Sequence, residues 1–227
     1  MLTLLTATGA RPEAWAICQQ LMMRQDYAGP VHWIIVDDGE TPQPVTFFRP
    51  AWDLTILRPE PFWQLGQNTQ ARNLLAGMRR TNPQSRLVII EDDDAYAPDY
   101  LTWMDAQLGR ADLVGESHAR YYNTATRKCR QLNNANHASL CSTAMKGPAL
   151  QAFERELKPG VQFIDLNLWR NFRGSKLLQR GNRVVGIKGM PGRGGIGMGH
   201  KQDFRGEFDR SGEILRKWVG VNADLYP

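Results

Sequence analysis

Val88-Ile89-Ile90-Glu91-Asp92-Asp93-Asp94, followed by Pro98-Asp99-Tyr100-Leu101, is the stretch on which the fold turns. The apolar run Leu87–Ile90 reads as a buried strand. Four acids directly at its end are costly unless a positive charge lies against them: at ~4 Å and an effective dielectric of ~20, each like-charge pair costs roughly 4 kcal/mol. A hard divalent cation, Mg²⁺ or Mn²⁺, would neutralise them, because such ions prefer carboxylate oxygen and leave positions open for phosphate. The other reading is an acidic helix N-terminus before Pro98, favoured by the helix dipole, and it is the reading that suits Asp99.

Working outward, the same alternation recurs. Leu2 to Thr6 is a short apolar run ending in Thr8-Gly9-Ala10, and Pro12 sits where a first helical turn tolerates proline. Ala14, Ile17, Cys18 and Leu21 follow at helical spacing to about Gln25. Val31 to Val36 is a β-branched strand ended by Asp37-Asp38-Gly39, and Leu54 to Leu57 is another. Asn68 can cap a helix carrying Ala71, Leu74, Leu75 and Met78, and Pro98 opens one through Leu101, Met104 and Leu108. This alternation predicts an α/β fold with a mostly parallel, helix-flanked sheet. Ligands bind such sheets beyond the carboxyl ends of the strands. Three polar clusters stand at those ends, Thr6–Arg11, Asp37–Gly39 and Glu91–Asp94, and should converge on one site.

At 227 residues the chain suits one core, with no boundary, repeat or low-complexity tract. With 42% hydrophobic and 22% charged residues it is neither disordered nor fibrous. No apolar run approaches the ~20 residues of a membrane span, and the first residues have no basic leader, so a cytoplasmic protein is expected. Cys18, Cys129 and Cys141 form no secreted disulfide framework. Cys129, His137 and Cys141 without a Cys-x-x-Cys pair are a poor zinc set, and ordinary thiols are expected. The net charge of +5 is unevenly placed. Leu166 to Gln202 contains no acid, while Arg170, Arg173, Lys176, Arg180, Arg183, Lys188, Arg193 and Lys201 supply eight positive charges. Arg120, Arg127, Lys128 and Arg130 form a second basic group beside Tyr121 and Tyr122. Such clusters suit a polyanion or a phosphorylated ligand, or simply a solvated loop.

The acidic segment and the Pro98-Asp99-Tyr100-Leu101 that follows it resemble the Asp-x-Asp segment of GT-A fold, family-2-like glycosyltransferases. Leu4-Leu5-Thr6-Ala7-Thr8-Gly9-Ala10-Arg11 is similar to the nucleotide-binding first loop of that fold. Trp33-Ile34-Ile35-Val36-Asp37-Asp38-Gly39 is similar to its second strand. Asn68-Thr69-Gln70-Ala71-Arg72-Asn73 resembles its Ala-Arg-Asn helix start. The four motifs cover roughly residues 2 to 105 in the family's order. The resemblance implies a GT-A (Rossmann-like) domain over 1–227, with a nucleotide-sugar half, 1–105, and an acceptor half, 106–227. It also implies sugar transfer from a nucleotide diphosphate donor, expected to be a UDP-sugar, with Mn²⁺ or Mg²⁺ bridging protein and diphosphate. Donor contacts then fall to Thr6, Thr8, Arg11, Asp38, Arg72, Asn73, Asp92 and Asp93. Metal contacts fall to Asp92 and Asp94, with Asp94 first.

Gly186 to Lys201 is a glycine-rich stretch whose backbone N–H groups can cradle phosphate, and its Lys188, Arg193 and Lys201 are donor candidates. It is no Walker loop. His200 is either a surface residue or the late histidine that completes the metal shell in this family. Asp165, in the apolar run Phe163–Trp169, is either a helix N-cap or, by resemblance, the general base of an inverting transfer. A base of that kind is worth about 10²- to 10⁴-fold in rate. The basic stretches favour a polyanionic acceptor. The compact size and the Pro191–His200 loop resemble small phage-encoded glycosyltransferases, which implies double-stranded DNA carrying a hydroxymethylated base, modified in a host cytoplasm. A surface polysaccharide or small-molecule acceptor is the alternative, and a non-catalytic DNA-binding protein is the rival of another class. That rival leaves Asp92 to Asp94 without purpose. A sugar-nucleotide pyrophosphorylase would want a Gly-rich Arg/Lys loop at the N-terminus, where only Arg11 is present.

Overall fold

In the computed structural model, which describes residues 1–195, 197–201 and 203–226, the first half alternates as the pattern predicts. It runs β1 (Leu2–Thr8), α1 (Pro12–Met23), β2 (Val31–Asp37), β3 (Trp52–Leu57), α2 (Gln70–Met78), β4 (Arg86–Ile89), β5 (Ala95–Tyr96) and α3 (Tyr100–Leu108). The second half adds β6 (Leu113–Glu116), β7 (His118–Asn123), β8 (Lys128–Asn133), β9 (Thr143–Lys146), α4 (Pro148–Glu156) and α5 (Ile164–Asn171). β10 (Lys176–Gln179), β11 (Val184–Lys188), β12 (Glu207–Phe208) and α6 (Glu213–Val219) complete it.

The central sheet has seven strands in the order β10-β6-β9-β4-β1-β2-β3. β1, β2, β3 and β4 run parallel, as do β6 and β10, and only β9 is antiparallel to its neighbours. The fold is the α/β, GT-A-like arrangement expected. The pattern had not shown a second, five-stranded sheet, β12-β8-β7-β11-β5, because its strands are short and half polar.

Both faces of the central sheet are buried, and strand alternation sorts the side chains between them. Leu2, Leu4, Val31, Trp33, Ile35, Val88 and Ile90 face α1 and α3; Leu5, Ile34, Val36, Leu87 and Ile89 face α2, α4 and α5. On the first face Trp33 stacks against Trp15, Phe47 and Trp52 at centroid distances of 5.4, 5.1 and 6.2 Å. α2 begins one residue later than the Asn68 cap implied. Thr69 stands at the N-cap, and the Asn68 side chain accepts only the Gln70 N–H, at 3.3 Å. α3 likewise starts at Tyr100, two residues past Pro98.

This packing carries the loops after β1, β2 and β4 to one edge. α2 lies so close to the sheet that a Cβ on Gly77 would meet Leu5 Cδ1 at 2.2 Å and Val36 Cγ2 at 3.2 Å. Both neighbours are fully buried. Gly77→Val should therefore lower stability by about 1–3 kcal/mol through overpacking, despite removing a helical glycine. Urea denaturation reads the change directly.

Candidate functional site

The three strand-end clusters do converge. The turn after β1 places Gly9 at φ +137°, with a Cβ there only 2.5 Å from Asp38 Oδ1, so only glycine fits against the end of β2. Asp38 N–H bonds Thr8 O at 3.2 Å, and the Thr8 hydroxyl donates to Asp92 Oδ2 at 2.6 Å. Arg11 then bridges two acids, reaching Asp92 Oδ1 at 2.5 Å and Asp93 Oδ2 at 3.0 Å. From β11 in the other sheet, Lys188 Nζ reaches Asp94 Oδ1 at 2.9 Å and Asp93 Oδ2 at 3.7 Å. The Ile187 N–H also donates to Asp94 Oδ1, at 3.0 Å.

The acids beside these two cations titrate apart. Burial alone would push the Asp93 carboxyl up, but Arg11, Lys188 and His200 hold it down at about 2. Burial and the charge of Asp94 push Glu91 up to about 8. At Asp92 burial outweighs Arg11, and at Asp94 it outweighs Lys188, so both carboxyls lie above their usual range. His200 Nε2 lies 3.6 Å from Asp93 Oδ2, and burial, reinforced by Lys188, pushes the imidazole down to about 4. At neutral pH it is uncharged, the form that ligates metals.

Beside this cluster opens a cavity of about 380 Å³, within the range of small-molecule sites. Thr8, Arg11, Asn73, Glu91, Asp93, Lys188, Arg193 and His200 line one part of it. Tyr121, Arg130, His137, Phe163 and Asp165 line another. Asn73 is fully buried, and its Nδ2 has no hydrogen-bond partner among the described residues. Asp165 lies in the first turn of α5. Burial raises its carboxyl above the usual range, against the pull of the Leu166 N–H and of His137.

Several residues take places the sequence did not suggest. Thr6, read as a donor contact, is buried in the core, where its hydroxyl accepts the Trp33 Nε1–H at 2.9 Å. Asp92 and Asp94, read as metal ligands, do not line the main cavity. Their oxygens are held by Thr8 and Arg11, and by Lys188 and the Ile187 N–H. Asp93 and His200 are the members that face it. Asp38 and Arg72 lie behind the cavity wall, joined at 2.9 Å, and Lys201 is exposed away from it. Of the eight cations between 166 and 202, Arg183 pairs with Asp99 and Glu116, Lys188 with Asp93 and Asp94, and Arg193 with Asp38. The other five, Arg170, Arg173, Lys176, Arg180 and Lys201, form no salt bridge among the described residues.

Glu91, Tyr121, Arg130 and His137 also line the cavity, though none had been named singly as a donor, metal or catalytic residue. Glu91 was legible, since it opens the acidic run. The other three sit on or just after the polar strands of the second sheet, which carry no periodic signal. Glu91, Asp94 and Cys141 also bring ligand atoms within 4.8 Å of one another. The three cysteines are free and buried.

No family model and no curated protein matches this sequence. Solved structures do resemble it. A crystal structure of S. aureus TarS superposes with a TM-score of 0.61 over 82% of this chain, at 11% identity. TarS 1–349 in complex with UDP gives 0.58 at 12% identity, and the same protein in complex with UDP-GlcNAc gives 0.54 at 9%. This chain spans 37% of the first of these chains, 60% of the second and 58% of the third. The likeness establishes the shared fold. No helix among the described residues is long and apolar enough to cross a membrane.

The reassignment of Thr6 is testable without any ligand. Thr6→Val keeps the volume but leaves the buried Trp33 N–H unpaired, so stability should fall by about 1–3 kcal/mol. Chemical denaturation measures it, and an unchanged midpoint would return Thr6 to the ligand side.

Proposed function

We propose that the protein is a glycosyltransferase that moves a sugar from a nucleoside diphosphate, a UDP-sugar, to a hydroxyl acceptor. The observation that carries this reading is one cavity lined on one side by Thr8, Arg11, Asn73, Asp93 and His200, and on the other by Asp165. Support comes from structures of the same fold that hold UDP and UDP-GlcNAc.

A divalent cation fits the donor side. Among the described residues Asp92, Asp93 and Asp94 have only Arg11 and Lys188 within salt-bridge distance apart from the neutral His200, Glu91 has no such partner, and Asp94 Oδ2 is buried without a hydrogen-bond partner. Asp93 and His200 would hold the ion, with Glu91 behind them, in place of the Asp92–Asp94 pair that the motif alone suggested. Mn²⁺ or Mg²⁺ bound there supplies charge against the diphosphate as it leaves. Lys188 and Arg11, already poised at these carboxylates, hold Asp93 ionised. Asn73 Nδ2 offers a hydrogen bond to the nucleotide.

Asp165 acts as general base in an inverting transfer. It takes the proton of the acceptor hydroxyl as that oxygen bonds to the anomeric carbon and the bond to the diphosphate breaks. Its raised carboxyl is suited to the task. The acceptor enters past Tyr121, Arg130 and Phe163. With three of its cations tied to acids, the 166–202 stretch no longer argues for a duplex lying across it. A hydroxyl compound that fits the cavity is therefore preferred, and an assay on hydroxymethylated DNA beside free polyols decides between them.

Thermal shift with UDP, with and without Mn²⁺, tests the reading. A ligand at 100-fold its dissociation constant adds about 2.7 kcal/mol. Asp93→Asn should abolish the metal-dependent part, and a wild type indifferent to Mn²⁺ would refute the metal. Asp165→Asn should keep UDP affinity and lower turnover by at least about 10²-fold. Because the base must be ionised, wild-type turnover should rise with pH through the raised Asp165 pKa, and that acidic limb should vanish in the variant.

A further inference from the structure

We propose that the acceptor is an acidic sugar, its carboxylate held by Arg130 while its ring lies against Phe163 and Tyr121. The proposal rests on the reading of the cavity as a glycosyltransferase site and names the class of acceptor that site takes.

The second sheet decides which side chains reach this part of the cavity. Tyr122 and Cys129 pair across β7 and β8, and with Val185 and Ile187 of β11 they are buried in that sheet's own core. Strand alternation turns the residues next to them toward the opposite face. There Tyr121 pairs with Arg130 on one side and Gly186 on the other, and Ala119 pairs with Leu132. Tyr121, Arg130 and Leu132 do line the cavity. Tyr121 is fixed in place. Its hydroxyl bonds Ser139 Oγ at 2.7 Å, and a Cβ on Gly186 would meet its Cδ1 at 2.7 Å, so the ring lies on the bare glycine.

Four arginines and lysines line the cavity, and Arg130 differs from the other three. Arg11 is committed to Asp92 and Asp93, Lys188 to Asp93 and Asp94, and Arg193 to Asp38. Arg130 is exposed and forms no salt bridge among the described residues, so its charge is open to a ligand. The same cavity is lined by Asp165, from the first turn of α5. An anionic group is repelled by that carboxylate and drawn to Arg130, which turns the acceptor so that a hydroxyl meets the base. One guanidinium matches one carboxylate, two parallel N–H donors to two oxygens. The rest of the lining suits a sugar as the carrier. Phe163, two residues before Asp165, is 57% exposed and borders the cavity. A pyranose has a face of C–H bonds, slightly positive, that suits the negative face of an aromatic ring. Asn134 and Gln162, polar and uncharged, stand in the same lining to meet its hydroxyls. A nucleic-acid strand would want a row of free cations along the cavity, where only Arg130 is free among the described residues.

The test measures binding to the full chain saturated with UDP and Mg²⁺, by ligand-observed NMR titration. The probes are glucuronate and galacturonate, each beside its neutral amide. Wild type should bind at least one acid about tenfold or more tighter than its amide, as expected for a charge-assisted pair. Arg130→Met, at an exposed position, should lose that preference, and its UDP affinity reports that it has folded. Arg130→Lys should recover only part of the preference, since a point charge lacks the fork. Phe163→Ala should weaken acid and amide alike by at least about threefold, with recovery in Phe163→Tyr. Equal binding of acid and amide by wild type, binding of neither, a preference that survives Arg130→Met, or unchanged affinities in Phe163→Ala overturns the proposal. UDP binding by wild type then leaves the proposed function standing, and a wild type that binds no nucleotide removes both.

Discussion

The rest of the site depends on how Arg11 and Lys188 hold three consecutive aspartates, Asp92, Asp93 and Asp94, just beyond the end of β4. Each cation arrives from a different part of the chain, Arg11 from the turn after β1 and Lys188 from the last residue of β11. Neither contact is local, so the acid run ties the central sheet to the second one. A buried ion pair contributes little net stability when complete, but losing one partner leaves an uncompensated charge. The cluster therefore specifies one relative placement of the two sheets. It also sets three aspartates against two cations.

Much of the fold was legible because the parallel strands are buried on both faces. Residues such as Leu4 and Leu5, or Ile34 and Ile35, need no alternation and read as plain apolar runs. The second sheet was not legible for the opposite reason. β7 and β8 mix half-buried Arg120 and Tyr121 with exposed Arg130 and Gln131, and β12 is two exposed residues long. Their pairing is decided by tertiary contact, as when Glu207 and Phe208 pair with Cys129 and Lys128.

Within the site, residue type was readable while direction was not. An acid run at a strand end announces charge, but which carboxylate meets the cavity is set by the turn that follows. Glu91 and Asp93 face the opening, while Asp94 turns inward toward Lys188 and Asp92 toward Thr8 and Arg11. Thr6 and Thr8 present the same difficulty. They share a strand face, yet two residues of depth divide a hydroxyl that serves the core tryptophan from one that reaches the acid cluster. The basic stretch misled for a related reason. Sequence proximity suggested one surface, but the fold distributes its charges among partners as distant as Asp38 and Glu116.

The two cations on the cavity side differ in what a ligand asks of them. Lys188 is buried among Asp93, Asp94 and Glu91, whose charges keep it protonated against the cost of burial, and removing it would strand those acids. Arg193 is in the reverse position. Burial lowers its pKa despite Asp38, and Asp38 retains Arg72 and Thr69 when Arg193 leaves. Losing Arg193 therefore leaves Asp38 with partners, whereas losing Lys188 would dismantle the acid cluster. The fold thus separates a cation that builds the acid cluster from one whose carboxylate partner is independently held.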